Sequence, residues 1–186
     1  KRPRMGQSDT TAIEAKMLKT LKDNSTLPVP EVIAQQNGLL LMEYIENDGG
    51  PMRGPSAING ARHVAALHKV QAEKYGLGYD TVIGPLSQKN TLENNWLRCY
   101  AEHRLMGMAN RAVQNHKLAV ANMNRIEILT QMLGDFIPRT PKASLLHGDL
   151  WSGNILVDRQ RVVGFIDPAI YYGHAEMDLT FLTLFA

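Results

Sequence analysis

The sequence is poor in the features that mark several protein classes. It contains one cysteine, Cys99, so no internal disulfide can form and no cysteine pair is present for a zinc site. A reducing, cytoplasmic location fits this usage best. No apolar run approaches the ~20 residues that a membrane-spanning helix needs, and the charged start lacks the apolar segment of a secretion signal. We therefore expect a cytoplasmic protein with no membrane partner.

The chain is also nearly neutral. Its formal net charge is +2 over 186 residues, and the opening Lys1-Arg2-Pro3-Arg4 is too short for a nucleic-acid footprint. Nucleic acid is therefore not an expected partner. Because the chain begins with Lys1 and its last apolar run stops at Ala186, we expect a fragment of a longer protein. The sequence leaves the oligomeric state open.

The first part of the chain has the pattern of a small mixed lobe. Apolar residues at helical spacing predict a helix over 12–21. Residues 32–33 and 39–45 predict two short strands, joined by a turn at 36–38. The Gly- and Pro-rich stretch 47–55 is the best linker candidate.

The second part is mostly helical until Ser144, where the pattern changes. Helical periodicity covers 56–74, 91–113 and 120–133, whereas 76–90 has little periodicity and is predicted as a loop. After Ser144 the apolar stretches predict short strands, of which 155–157 and 162–166 form a pair. We therefore predict an α+β protein with three parts: a small lobe over 1–46, a linker over 47–55 and a helical lobe over 56–186.

A polar loop between apolar strands carries the strongest chemical signal. It reads His147-Gly148-Asp149-Leu150-Trp151-Ser152-Gly153-Asn154, and Asp167 ends the next predicted hairpin. Because a short strand pair returns on itself, Asn154 and Asp167 are expected side by side. Two oxygen ligands for Mg²⁺ near a carboxylate base, Asp149, are what phosphoryl transfer from ATP to a hydroxyl requires.

Each of these residues also has a common structural role. An Asp in a Gly-rich loop is usually a turn residue, and an Asn beside Gly usually caps a turn. The combination of D-x-x-x-x-N, an apolar hairpin and a further Asp is far less expected by chance than any one residue. The spacing therefore favours phosphoryl transfer.

The loop resembles the catalytic motif of aminoglycoside phosphotransferases and their relatives, and in particular that of the fructosamine kinase (ketosamine kinase) family. That family characteristically carries HGDLWSGN. The likeness covers nearly the whole chain, through Tyr75-Gly76, Ile83-Gly84, Gln88, Asn90, Trp96, Tyr100, Arg104-Leu105, Ile166-Asp167-Pro168-Ala169 and Tyr172-Gly173-His174-Ala175-Glu176. It implies a protein-kinase-like, two-lobed fold. The Gly-rich phosphate loop before the first lobe and the last helices of the second lobe are absent from the sequence, so both lobes are expected to be truncated.

The resemblance implies roles for the loop and its surroundings. Asp149 is expected to be the catalytic base, and Asn154 and Asp167 are expected to hold Mg²⁺. His147 is expected to pack and orient the loop rather than react. Asp178, which opens the final apolar run, is expected to cap a helix and brace the catalytic loop.

The resemblance also implies contacts to both substrates. Trp151 is expected to shape the acceptor pocket, although a core position is equally compatible, and His174 and Glu176 are further candidates for the acceptor site. On the nucleotide side, the implied candidates are Lys1, Glu14 and the backbone of Glu43 and Ile45. Lys1 and Glu14 would grip the phosphates, and the backbone groups would bind adenine. Without the resemblance, Glu14 would be a solvated helix residue.

The leading hypothesis is an ATP- and Mg²⁺-dependent kinase that phosphorylates a sugar hydroxyl of a fructosamine- or ketosamine-type small molecule. A second hypothesis keeps the fold and changes the acceptor to an aminoglycoside, choline, homoserine or a plain sugar. A third is a pseudokinase-like binder without turnover. The acidic residues are too few and scattered to favour a polycationic acceptor, and the intact Asp149, Asn154 and Asp167 speak against the binder.

Overall fold

The structure, a computed structural model that describes residues 1–3, 8–36 and 38–184, is an α+β assembly of short helices and small antiparallel sheets. The helices are α1 (Thr11–Asn24), α2 (Pro55–Leu67), α3 (Trp96–Cys99), α4 (Gly107–Gln114), α5 (Met123–Phe136) and α6 (Glu176–Thr183). A π-helical segment (Tyr100–Met106) joins α3 to α4, and 3₁₀ turns occupy Val120–Asn122 and Ser152–Asn154. None of the described helices has both the length and the apolar character that crossing a membrane requires.

The strands pair into four small sheets in the described part of the chain. They are β1 (Val32–Gln36) with β2 (Leu39–Met42), β3 (Gln71–Ala72) with β6 (Ala143–Leu146) and β9 (Tyr171–Gly173), β4 (Thr81–Ile83) with β5 (Leu86–Gln88), and β7 (Ile155–Asp158) with β8 (Arg161–Phe165). Every pair is antiparallel. Strand β6 lies between β3 and β9 and is buried along its whole length, so the catalytic-motif loop leaves from the middle of a sheet.

The small N-terminal part has the predicted order of one helix and two strands, although β1 extends to Gln36 and β2 already ends at Met42. Helix α1 buries one face, which includes Met17, Leu18 and Leu21, because these residues recur at helical spacing. Lys1 lies beside β2: its amino group donates to Leu40 O (2.6 Å), and Leu40 N donates back to Lys1 O (3.0 Å). Of the predicted turn at 36–38, residue 37 lies outside the described residues.

Two predicted helices have different bounds in the structure. The helix predicted over 56–74 ends at Leu67, and the following residues form β3, because β6 offers that segment a strand partner. The helix predicted over 91–113 begins only at Trp96, where the Asn95 side chain accepts from Arg98 N (3.0 Å) as an N-cap. It then passes through the π-helical segment.

Two further predictions fail for local reasons. Helix α5 runs through Gly134 and stops at Phe136, where Ile137 becomes extended before a proline, a position that disfavours helical backbone. Residues 76–90, predicted as a loop, contain the β4–β5 hairpin, whose strands are only three residues each. Such short strands leave too little alternation for a periodicity signal.

The hydrophobic core lies beneath the catalytic-motif loop. Residues from α1, β6, β8 and α3 meet in one buried cluster, in which Leu18, Leu145, Phe165 and Trp96 are fully enclosed. Cys99 belongs to the same cluster, and burial raises the pKa of its thiol to about 11. A thiol in this state is unreactive packing material.

Candidate active site

Asp149 and Asn154 are held together by the turn that links β6 to β7. The Asn154 side-chain Nδ2 donates both to the Asp149 backbone O (2.8 Å) and to its carboxylate Oδ2 (3.0 Å). Asn154 N also donates to Trp151 O (3.0 Å), which closes the 3₁₀ turn. Asn154 is buried and Asp149 half-buried, and burial raises the pKa of the Asp149 carboxyl above its ordinary value. Asp149 is therefore oriented and is more basic than a solvated aspartate.

Asp167 is brought beside this pair by the β7–β8 hairpin. The hairpin turns at Arg159 and Gln160, both at positive φ, as a type I′ turn requires. Ile166 N donates to Asn154 O (3.0 Å), so the hairpin closes immediately before Asp167. Asp167 itself has φ +51°, a left-handed conformation that Asp tolerates better than most residues but that is uncommon outside glycine. Such backbone outliers concentrate at functional sites.

Lys1 links helix α1 to Asp167 at this point. Its Nζ lies 2.9 Å from Glu14 Oε1 and 2.8 Å from Asp167 Oδ1. Burial would lower the pKa of Lys1, but the bonds to Asp167 and Glu14 raise it on balance, so the amine stays charged. Burial raises the pKa of Glu14, although Lys1 opposes this effect. The structure thus places Glu14 at the site rather than in solvent.

The catalytic-motif loop rests on a buried carboxylate. Asp178, fully buried in the first turn of α6, accepts from His147 N (Oδ2, 2.9 Å) and from Gly148 N (Oδ1, 2.9 Å). The Nε2 atom of His68, just after α2, lies 2.9 Å from the same Oδ2. The expectation that Asp178 caps a helix is wrong, because the α6 N-cap position is Ala175 and the Asp178 carboxylate faces the loop.

A close backbone approach fixes the same loop from the other side. Ala169 N donates to His147 O (2.7 Å), and a Cβ added at Gly148 (φ +82°) would lie 2.0 Å from Ala169 O. Only glycine fits there. The His147 side chain is fully buried against Phe165 (ring centroids 6.2 Å apart), and burial lowers its pKa, so the imidazole is a neutral packing group.

One cavity of about 290 Å³ unites these groups. Asp149, Asn154, Asp167, Lys1 and Glu14 all line it, together with the Trp151 side chain. Trp151 is half-buried, and its ring covers Gly153, where a Cβ would lie 2.2 Å from a ring carbon. The cavity thus combines three carboxylates, an amide, a charged amine and an aromatic side chain.

Four of the predicted substrate and nucleotide contacts do not line this cavity. His174 packs edge-on against Trp96 (centroids 6.4 Å apart), and Glu176 is exposed at the start of α6. Glu43 and Ile45 line a separate cavity of about 410 Å³ beside the loop after α1. Glu43 N donates to Glu31 O (2.8 Å), so the Glu43 N–H is already used within the fold.

Sequence reasoning missed two contributors to the site. His68 gave no signal, because its partner Asp178 is 110 positions away. The β4–β5 hairpin contributes Val82, Gly84 and Pro85 to the cavity wall, although the segment was predicted as a loop. A Gly-Pro turn directly after the β-prone residues 81–83 was the available signal.

Comparison with known proteins gives a consistent family. The sequence profile of fructosamine kinase matches residues 4–186. A probable ketoamine kinase of Lactiplantibacillus plantarum is 35% identical over 161 residues, which are 84% of this chain and 56% of that protein. The crystal structure of a candidate fructosamine-3-kinase of Thermobifida fusca YX-ER1 superposes with TM-score 0.85 at 31% identity and covers 99% of this chain and 62% of that one.

The fold extends to more distant proteins. The streptomycin–ATP–APH(2″)-IIa ternary complex superposes with TM-score 0.58 at 15% identity, over 89% of this chain and 57% of that one, a likeness of fold alone. The predicted protein-kinase-like α+β fold is confirmed. The chain spans little more than half the length of the curated relatives it matches.

The chain belongs to the fructosamine kinase family.

Proposed function

We propose that the protein carrying this fructosamine kinase family chain transfers the γ-phosphoryl group of ATP to a sugar hydroxyl of a ketosamine. One observation carries the proposal: Asp149, Asn154, Asp167 and Lys1 converge on one cavity. A proton acceptor, oxygen donors and a cation around one space are the requirements for phosphoryl transfer to a hydroxyl. Because the chain spans only part of its relatives, the activity is proposed for the whole protein.

Asp149 is proposed as the general base. Its carboxylate would accept the proton of the attacking hydroxyl while that oxygen bonds to the γ-phosphorus and the bond from phosphorus to the ADP oxygen breaks. Burial raises its pKa, which makes it a better proton acceptor than a solvated aspartate. The two bonds from Asn154 Nδ2 hold it in place without adding charge.

Asn154 and Asp167 are proposed to hold Mg²⁺. Two oxygen ligands are available for the ion. The Asn154 Nδ2 atom donates to Asp149, so the Asn154 amide oxygen points away from Asp149, and Asp167 supplies an exposed carboxylate. Hard oxygen donors of this kind suit Mg²⁺, which keeps several waters and binds through few protein groups. When bound, the ion would neutralise phosphate charge.

Lys1 and Glu14 are proposed to position the phosphates. The Lys1 amine already lies between two carboxylates, and a phosphate oxygen would add to or replace its contact with Asp167. Glu14 would keep the amine aimed into the cavity. The Glu43 carbonyl and the Ile45 N–H remain the proposed adenine contacts. The neighbour with the same fold that holds ATP supports the choice of nucleotide.

The acceptor is proposed from the family and from Trp151. The relatives are named for ketoamine and fructosamine substrates, and Trp151 offers the cavity an aromatic face for the apolar side of a sugar ring. His174 and Glu176 would reach an acceptor only from outside the described cavity lining, so Trp151 is the principal proposed contact. A cytoplasmic setting is part of the proposal, which the single buried cysteine supports.

The experiment follows ADP release by the whole protein from ATP and Mg²⁺ against a panel: a fructosyl-amine, a ribulosyl-amine, free sugars, choline and kanamycin. Asp149→Asn should lower turnover by about 10²-fold or more, as expected for removal of a general base. Asp135→Asn, the same change at an exposed position on α5, is the matched control and should retain wild-type turnover.

Each outcome on the panel assigns a different function. Turnover with a fructosyl- or ribulosyl-amine supports the proposal. Turnover with another acceptor would keep the mechanism and replace the substrate class. Binding of ATP without turnover on any acceptor would favour the pseudokinase-like alternative.

A further inference from the structure

The β4–β5 hairpin is a part of the cavity wall that the proposed chemistry leaves unexplained. Val82, Gly84 and Pro85 line the same cavity as Asp149 and Trp151. None of the three carries a charge or a side-chain hydrogen-bonding group. Their side chains can therefore bind neither phosphate nor metal. These side chains contribute only the shape of the cavity wall and apolar contact with a ligand.

A buried polar cluster fixes the base of the hairpin to the segment that follows Asp167. Gln88 Nε2 donates to Thr81 Oγ1 (2.9 Å) and to Ala169 O (2.9 Å), and Thr81 Oγ1 donates to Ile170 O (3.3 Å). Thr81 and Gln88 are both buried. Because Ala169 also bonds to His147 and covers Gly148, the hairpin and the catalytic-motif loop rest on the same backbone.

A second layer of contacts holds this cluster. Asn90 Nδ2 donates to Thr81 Oγ1 (2.8 Å), and its Oδ1 accepts from Arg104 Nη2 (2.6 Å). The Arg104 guanidinium lies over the Tyr171 ring, 3.9 Å from its centroid. The hairpin is thus held in position by three side chains, those of Gln88, Asn90 and Arg104.

The hairpin is also docked on the N-terminal lobe. The hydroxyls of Tyr79 and Thr20 lie 2.7 Å apart, and Lys16 Nζ lies 3.6 Å from the Tyr79 ring centroid. The base of the hairpin is therefore held both by α1 and by the segment after Asp167. The tip, residues 83–86, is mostly exposed, and a Cβ at Gly84 would meet no atom within 4 Å. A fixed base with an open tip at the cavity is the geometry of a substrate-contacting wall.

We propose that the β4–β5 hairpin is a specificity-determining wall of the acceptor site, with Val82 and Pro85 contacting the acceptor across the cavity from Trp151. This inference rests on the proposed function, because the acceptor is the ketosamine. Lys1, Glu14 and Asp167 act on the phosphates and the ion in the proposed chemistry, whereas the hairpin and Trp151 offer the same cavity an apolar surface that suits a sugar ring. Small-molecule sites combine such apolar walls with a few polar groups.

The test uses the chemistry of the single native cysteine of this chain. Cys99 is fully buried with its pKa raised to about 11, so a maleimide should label a thiol placed on the hairpin much faster than it labels Cys99. Pro85→Cys puts that thiol at the cavity, and Ser87→Cys puts one on the same hairpin outside the cavity lining. The unsubstituted whole protein provides the blank rate of labelling by a maleimide.

Saturating fructosyl-lysine should slow labelling of Pro85→Cys by about fivefold, because a bound ligand has most of its surface covered by its pocket. Labelling of Ser87→Cys should not change, and ATP with Mg²⁺ alone should protect neither variant. Protection of Pro85→Cys by ATP alone, or equal labelling with and without fructosyl-lysine, would overturn the inference.

Kinetics provide the second readout. Val82→Ala should raise KM for the fructosyl-amine several-fold with KM for ATP unchanged, and the matched variant Leu86→Ala, on the same hairpin but outside the lining, should leave both unchanged. An unchanged KM for the fructosyl-amine in Val82→Ala, with ketosamine turnover by the wild-type protein, would refute the role of the hairpin in acceptor binding and leave the proposed function standing. Absence of ketosamine turnover in the wild-type protein would overturn the proposed function, and this inference with it.

Discussion

Removal of the negative charge of Asp178 should disorganise the catalytic-motif loop while leaving the fold recognisable. The carboxylate is fully buried and accepts from His147 N, Gly148 N and His68 Nε2, each at 2.9 Å. Asp178→Asn keeps the size and one oxygen. Whichever way the amide turns, its NH₂ group faces at least one buried N–H donor.

The magnitude follows from those contacts. A buried donor left without an acceptor costs about 1–3 kcal/mol, and the remaining bonds weaken because they are no longer charge-assisted. We expect a loss of about 2–4 kcal/mol in the free energy of unfolding. For a domain of this size each kcal/mol lowers Tm by roughly 2–4 °C.

The assay is thermal and urea unfolding of the whole protein, combined with ADP release at saturating substrates. Turnover should fall together with stability, because the displaced loop carries Asp149. Asp135→Asn, exposed on α5, should change neither. A stability loss under about 1 kcal/mol with normal turnover would refute the bracing role, since unsatisfied buried donors cost more than that.

Three further predictions follow from the site. Gly148→Ala should abolish turnover and lower stability, because its Cβ would lie 2.0 Å from Ala169 O at φ +82°; an active, stable variant by ADP assay and melting would contradict this. Gln88→Met should lower the free energy of unfolding by about 1–3 kcal/mol, because Thr81 Oγ1 and Ala169 O lose a buried donor; an unchanged urea midpoint would contradict it. The acid limb of kcat/KM should have its midpoint above the ordinary aspartate pKa of about 4, because burial raises the pKa of Asp149 and the base acts only when ionised; a pH profile flat down to pH ~4 would count against Asp149 as the base.

The sequence predicted the catalytic-motif loop and its hairpin because the relevant contacts are local. Asn154 and Asp167 flank one strand pair with a two-residue turn, so spacing alone places them together. The pairing of Lys1 with Glu14 followed only from the family resemblance, since nothing in the helical pattern around Glu14 indicates a buried carboxylate.

Contacts between distant residues were not predictable in the same way. Gln88 bonds to Ala169 across 81 positions and His68 to Asp178 across 110, and no local pattern encodes such partners. The β4–β5 hairpin was missed because its strands are too short for alternation to show. The end of the helix predicted through residue 74 was missed because strand pairing with β6 overrode the helical period.

The most direct test of the central claim is identification of the reaction product by phosphorus NMR after incubation of the whole protein with ATP, Mg²⁺ and fructosyl-lysine. We expect a new phosphate-ester signal on the sugar, formed in equal amount with ADP and lost in Asp149→Asn. If Asp149→Asn formed the ester at the wild-type rate, Asp149 would not be the base. Absence of any ester with the wild-type protein would contradict ketosamine kinase activity itself.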